Sequence, residues 1–234
     1  LRWPRPLRPE ALLEWARRLV NHDPDGYPEQ NFSAYAQTLP LRKQIRSADT
    51  RIRDRGDHLQ VGANHFCCTT PKTIPAQVDP LQTNSLFGGI WGLISDMDQI
   101  KTGFLYTLNL LFEQGLETKI HAKCNLLLNQ QAIGSLSPLL RRKQEEHLEA
   151  TDALEHGVKF VRIIPILLVW DQDLERARES CTRARRLWED NGYVMQQDTF
   201  ILKILFLSAL PFCLYTSGRN IDNLERDFIA PVPA

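Results

Sequence analysis

The segment from Val158 to Phe212 limits the fold most tightly, because it joins a run apolar on both faces to a helix with defined ends. Alternate residues from Val158 to Trp170 form two apolar rows. Val158, Phe160, Ile164, Ile166, Leu168 and Trp170 make one; Val161, Ile163, Leu167 and Val169 make the other. A strand of this kind sits inside a sheet and is covered by other elements. Pro165 has no N–H to give to a ladder, so a bulge or break is expected there. Asp171 reads as the N-cap of the helix that follows, with Asp173 and Glu175 at its positive end. Leu174, Ala177, Cys181, Ala184 and Trp188 recur at spacings of three and four, which is one helical face. Asn191-Gly192 supplies a left-handed stop, and a strand signal and a further apolar element follow. The expected fold is α+β: a helix-covered mixed sheet with a split βαβ, ferredoxin-like unit at 158–198 and a smaller β-hairpin region near 48–70.

The rest of the chain must cover that unit. Pro9 opens a helix with Leu12, Trp15, Ala16 and Leu19 as its stripe, ending near Asn21. A turn cluster spans His22 to Pro28, and residues 29–50 read as loop and short helix. A hairpin is expected with Arg51 to Arg53 and His58 to Val61 as arms and Asp54 to Asp57 as turn. His65 to Thr70 forms a further short strand, and three prolines make Pro71 to Thr83 irregular. Thr102 to Phe112 reads as a largely buried strand. Leu116 to Gln131 reads as a helix with Ile120, Cys124, Leu127 and Leu128 inward. Ser137-Pro138 opens another helix, whose inner face is Leu140, Gln144, His147, Leu148, Thr151 and Leu154. The expected domains are 1–100, a helix with a small β-rich part; 101–228, the α+β core; and 229–234, a linker. Leu1 in place of an initiator methionine, and only Met97 and Met195 within, fit an excised fragment.

Chemistry-bearing patterns are sparse. Twenty-eight basic and 28 acidic residues balance to zero, so bulk charge does not call for nucleic acid or an anionic membrane. Five scattered cysteines without a CxxC pair fit a reducing cytoplasm. There is no GxxxxGK[ST] loop, and Gly88-Gly89-Ile90-Trp91-Gly92 has no lysine after it and an indole in its middle. His65 and Cys67 share a strand face near His58. That placement raises the alternative of a small cytosolic metal-dependent enzyme, although the spacing matches no zinc pattern. Arg141, Arg142 and Lys143, with Arg183, Arg185 and Arg186, are basic clusters on the two central helices. They are candidates for a partner-contact surface, weighed against solvated faces balanced by neighbouring glutamates and against a nucleic-acid-binding module.

Several passages resemble one family. They are Leu7 to Pro24, Asn129 to Pro138 with the charged helix after it, Val169-Trp170-Asp171, Leu187 to Tyr193, and Ser208 to Phe212. They are similar to the amino-terminal half of conjugative-transfer ATPases, the TraC/TrbE/CagE-type motors of type IV secretion systems. The resemblance implies a docking domain that precedes a nucleotide-binding domain. ATP and Mg would then belong only to the absent C-terminal part, with no catalytic, cofactor or metal residue here. It also implies inner-membrane channel components and neighbouring ATPase subunits as partners. Small-molecule substrates and nucleic acid are not expected, and the location is the cytoplasmic face of a bacterial inner membrane.

Overall fold

The computed structural model describes residues 8–21, 35–45, 50–75, 86–87, 99–129, 138–210 and 228–231. The strands are β1 (Ile52–Asp54), β2 (Leu59–Val61), β3 (Asn64–Thr73), β4 (Gly103–Leu111), β5 (Phe160–Asp171), β6 (Val194–Gln197) and β7 (Phe228–Pro231). The helices are α1 (Pro9–Asn21), α2 (Leu41–Ile45), α3 (Leu116–Asn129), α4 (Pro138–Glu155), α5 (Leu174–Asp190) and α6 (Leu202–Ser208). All seven strands join one sheet with the path β1-β2-β3-β5-β4, to which β6 adds through β3 and β7 through β5.

The class is α+β, and the split βαβ unit is present. Both β5 and β6 run antiparallel to β3, so they are parallel to each other with β3 between them. Thr69 meets Leu167 across one edge and Gln197 across the other. The strands flanking α5 therefore never pair, and the ladders β1–β2, β2–β3, β3–β5, β3–β6 and β5–β7 are all antiparallel. The hairpin forms as expected, with Ile52 opposite Val61 and Asp54 opposite Leu59.

Helix α5 follows from its ends and its stripe. The cap is Asp173, whose carboxylate accepts the Glu175 N–H at 3.0 Å. Asp171, expected to cap, is instead the last strand residue and accepts from the Asp173 N–H at 2.9 Å. Two carboxylates in tandem can both cap, and the ladder extends to Asp171 because it pairs with His65. At the other end Gly192 takes φ +84°; its N–H donates to Glu189 C=O, and the Tyr193 N–H donates to Trp188 C=O. The Tyr193 and Trp188 rings close this end at 4.8 Å, the apolar contact that accompanies such a stop.

The chain divides into two compact units, Leu1–Thr107 with Pro165–Gly218, and Leu108–Ile164 with Arg219–Ala234. Each draws on segments distant in sequence. In the first unit one sheet face carries Cys67, Leu167 and Val169 under the buried α5 residues Ala177, Cys181, Ala184, Leu187 and Trp188. The other face packs Phe66 against Phe206 of α6 at 5.1 Å and against Trp170 at 5.3 Å. Gly103 lets the Trp170 indole lie against β4; a Cβ there would stand 2.4 Å from its Cε2. In the second unit α3 buries Leu116, Ile120 and Cys124, and the buried Arg162 pairs with Glu113 at 3.2 Å.

Several expectations are corrected. Pro165 neither breaks nor bulges β5; it falls between residues 160–163, which pair with β7, and 167–171, which pair with β3. β3 runs on through Pro71 to Thr73, because the register with β6 shifts there and the missing N–H is not needed. β4 is an outer strand of the path, not a largely buried one: Leu108 is 44%, Leu110 52% and Phe112 75% exposed. Leu148 of α4 is likewise exposed. The buried face of α1 is Leu13, Ala16, Arg17, Leu19 and Val20, leaving Trp15 outside. Arg17 belongs inside because its Nε donates to Gln44 C=O at 2.7 Å while its stem packs. Residues 228–231 of the tail read as linker pair with β5. The turn cluster, the Gly88–Gly92 segment and residues 76–83 lie outside the described residues.

Candidate functional site

The basic residues singled out on α5 are largely committed to their own helix. Arg183 reaches Glu179 at 3.1 Å and Gln99 C=O at 3.3 Å, and Arg185 reaches Glu189 at 3.6 Å. Such i,i+4 pairs are a few tenths of a kcal/mol each, about 0.3–0.5, and describe a solvated face. Arg186 is exposed on α5 and Arg141 is exposed on α4. Each stays on its own unit, and the side chains of Arg142 and Lys143 lie outside the described residues.

The histidine–cysteine group resolves into two separate environments. His65 and Cys67 do share the α5 face of β3, but Cys67 is a fully buried free thiol that shares a hydrogen bond with the free thiol of Cys181. That bond moves Cys67 below and Cys181 above the usual thiol range, burial adding to the rise at Cys181. His58 and His65 meet edge to face at 5.1 Å nearer the surface. His58 Nδ1 lies 2.8 Å from Asp57 Oδ1, while Arg178 of α5 holds the other Asp57 oxygen and also Glu175 at 2.6 Å. The Arg178 guanidinium lowers Asp57 to about 2, and burial pushes His65 below its ordinary value. Asp57 and Arg178 together pin the hairpin turn to α5, a pairing across 121 positions that no local sequence pattern signals. Among the described residues no group of three or more His, Cys, Asp or Glu is arranged to hold a metal ion.

A feature the sequence reading passed over lies on the hairpin itself. Arg53 lies on β1, with Arg51 just before the strand and Arg55 just after it; all three are exposed, and Arg51 and Arg53 line a shallow cleft of about 320 Å³ with Gln60 and Gly62. The sequence carries it as arginine at every second position from 51 to 55.

The family model described as TraC protein matches residues 2–214. The chain belongs to the TraC protein family. It is thus a TraC-type domain of conjugative transfer and type IV secretion. A search of the curated proteins finds no match. The passages that carried the resemblance are structural in this TraC-family chain. Val169-Trp170-Asp171 ends β5, Leu187 to Tyr193 forms the stop of α5, and Ser208 ends α6. Most of Asn129 to Pro138 lies outside the described residues.

Proposed function

We propose that this chain is a docking domain of a conjugative type IV secretion ATPase, passing movement between a nucleotide-driven motor and channel partners. The observation that carries the reading is the apolar row Leu108, Leu110 and Phe112. These three project from the same side of outer strand β4 and its end while remaining exposed. A contiguous exposed apolar row on a folded domain is characteristic of an interaction surface. Arg141, Arg142 and Lys143 on α4, and Arg183, Arg185 and Arg186 on α5, would add polar contacts to inner-membrane channel components or neighbouring ATPase subunits. The sequence contains no GxxxxGK[ST] loop, and in this reading ATP and Mg would be held elsewhere in the motor. No helix among the described residues is long and apolar enough to cross a membrane; the position proposed for the domain, on the cytoplasmic side of a bacterial inner membrane, follows from the family.

Leu110→Asp with Phe112→Asp, placed in the full transfer protein of a donor cell, should cut conjugative transfer about tenfold or more while protein level and ATP turnover persist. Wild-type transfer with both substitutions present would overturn the reading. The purified chain alone should turn over no ATP.

A further inference from the structure

β1 is the outer strand at one end of the sheet path. Arg51 C=O accepts from the Gly62 N–H at 3.1 Å, and the Arg55 N–H donates to His58 C=O at 3.0 Å. The main chain of Arg51 and Arg55 is therefore turned toward β2. By strand alternation the N–H and C=O groups of Ile52 and Asp54 face outward. Exposed Arg51 and Arg53 have no carboxylate partner among the described residues, and Arg55 reaches only the Gln60 amide oxygen at 3.4 Å. Natural edges carry charge to discourage unwanted strand addition; by strand alternation the arginines share one face here and exposed Asp54 lies on the other, so the arginine face repels basic side chains and admits acidic ones. At the turn end, Phe200 is 82% exposed and is fixed by its N–H donating to Gly56 C=O at 2.8 Å, giving the edge an apolar terminus.

We propose that the β1 edge docks an extended acidic polypeptide segment, which adds as a strand and sets its carboxylates over Arg51, Arg53 and the adjoining cleft. Two complementarities point to a polypeptide. The outward edge offers donors and acceptors in alternation, and a strand satisfies both, whereas a phosphate backbone only accepts. The arginines repeat every second residue, about 6.6 Å apart, which is also the repeat of same-face side chains on an added strand. The inference deepens the docking reading by naming a partner chemistry at a second surface.

The test uses the purified chain and a fluorescent peptide alternating glutamate and valine, followed by anisotropy at low and high salt. Binding should weaken with salt and fall about tenfold or more in the Arg51→Gln, Arg53→Gln double variant, with the melting temperature unchanged. The same peptide with N-methylated amides should lose binding, because it keeps its charge but cannot form the ladder. Ile52→Pro, which removes an outward N–H, should act alike. Failure of the acidic peptide to bind, equal binding of the N-methylated peptide, or tighter arginine-dependent binding of oligothymidylate would each overturn the site. No peptide binding together with loss of transfer in the Leu110→Asp, Phe112→Asp protein removes this site and leaves the docking reading standing. Peptide binding with normal transfer in that protein does the reverse.

Discussion

Asp57 shows what one residue contributes once the chain is folded. Its two carboxylate oxygens are taken by Arg178 and His58, and its pKa falls to about 2 chiefly through the arginine. A carboxyl depressed in the folded state stabilises above its unfolded value, and that contribution disappears as pH falls through the folded value. Asp57→Asn should therefore lower stability at neutral pH, with the gap to wild type narrowing below 3.8 and vanishing near pH 2. Because Asp57 is 44% and Arg178 40% exposed, solvent screening holds the loss below about 1 kcal/mol; urea titrations across that range measure it. A pH-independent difference would mean that packing, not charge, holds the turn. His65 has the same direction of slope through a different cause. Burial keeps it neutral, with the His58 charge acting the same way, so stability declines as pH falls below 6.5. Nothing in the sequence pairs Asp57 with Arg178, since the two meet only after α5 lies across the hairpin.

At the scale of elements, end signals proved more legible than faces. The stop at Asn191-Gly192 appears where the sequence puts it, because a positive φ of 84° is a local requirement that glycine meets at little cost. Gly192→Ala should cost about 1 kcal/mol by urea unfolding, with helix content otherwise kept; a neutral result would show that the stop is not strained by a side chain. The N-cap moved from Asp171 to Asp173 because two aspartates offered the same chemistry and the β3–β5 ladder decided between them. Faces were harder to read. The stripe of α5 held, apart from Leu174 being only half-buried. That of α1 was displaced because Arg17, polar by composition, is buried with its guanidinium satisfied by Gln44. β4 is apolar in sequence yet outermost in the sheet path, because apolarity records suitability for burial, not burial itself.

For the whole molecule, the two units differ in how well they are filled. The first encloses Trp188, Phe66, Phe206 and a row of β5 side chains on two sheet faces. The second buries Leu116, Ile120, Cys124, Val161 and Ile164 while leaving Leu108, Leu110, Phe112, Leu126 and Leu148 exposed. The less filled unit should open first, since opening free energy follows buried apolar contact. In a Cys213→Ser background, Cys124 should be modified by a thiol reagent at lower denaturant than Cys67, Cys68 and Cys181, all four being buried in the native state. Mass spectrometry of partly labelled protein checks the order, and simultaneous labelling would show a single cooperative unit.

The sequence by itself determined the α+β class, the strand–helix–strand unit, the hairpin and the family, because periodicity, caps and turns are written in neighbouring residues. Only the tertiary structure decided that β3 would lie between β5 and β6, that Pro165 would mark a change of ladder partner, and that β1 and β4 would be outer strands. Those outcomes depend on which distant segments compete for each sheet edge. No local pattern encodes that competition, because the free energy that settles it arises only when the whole core is assembled.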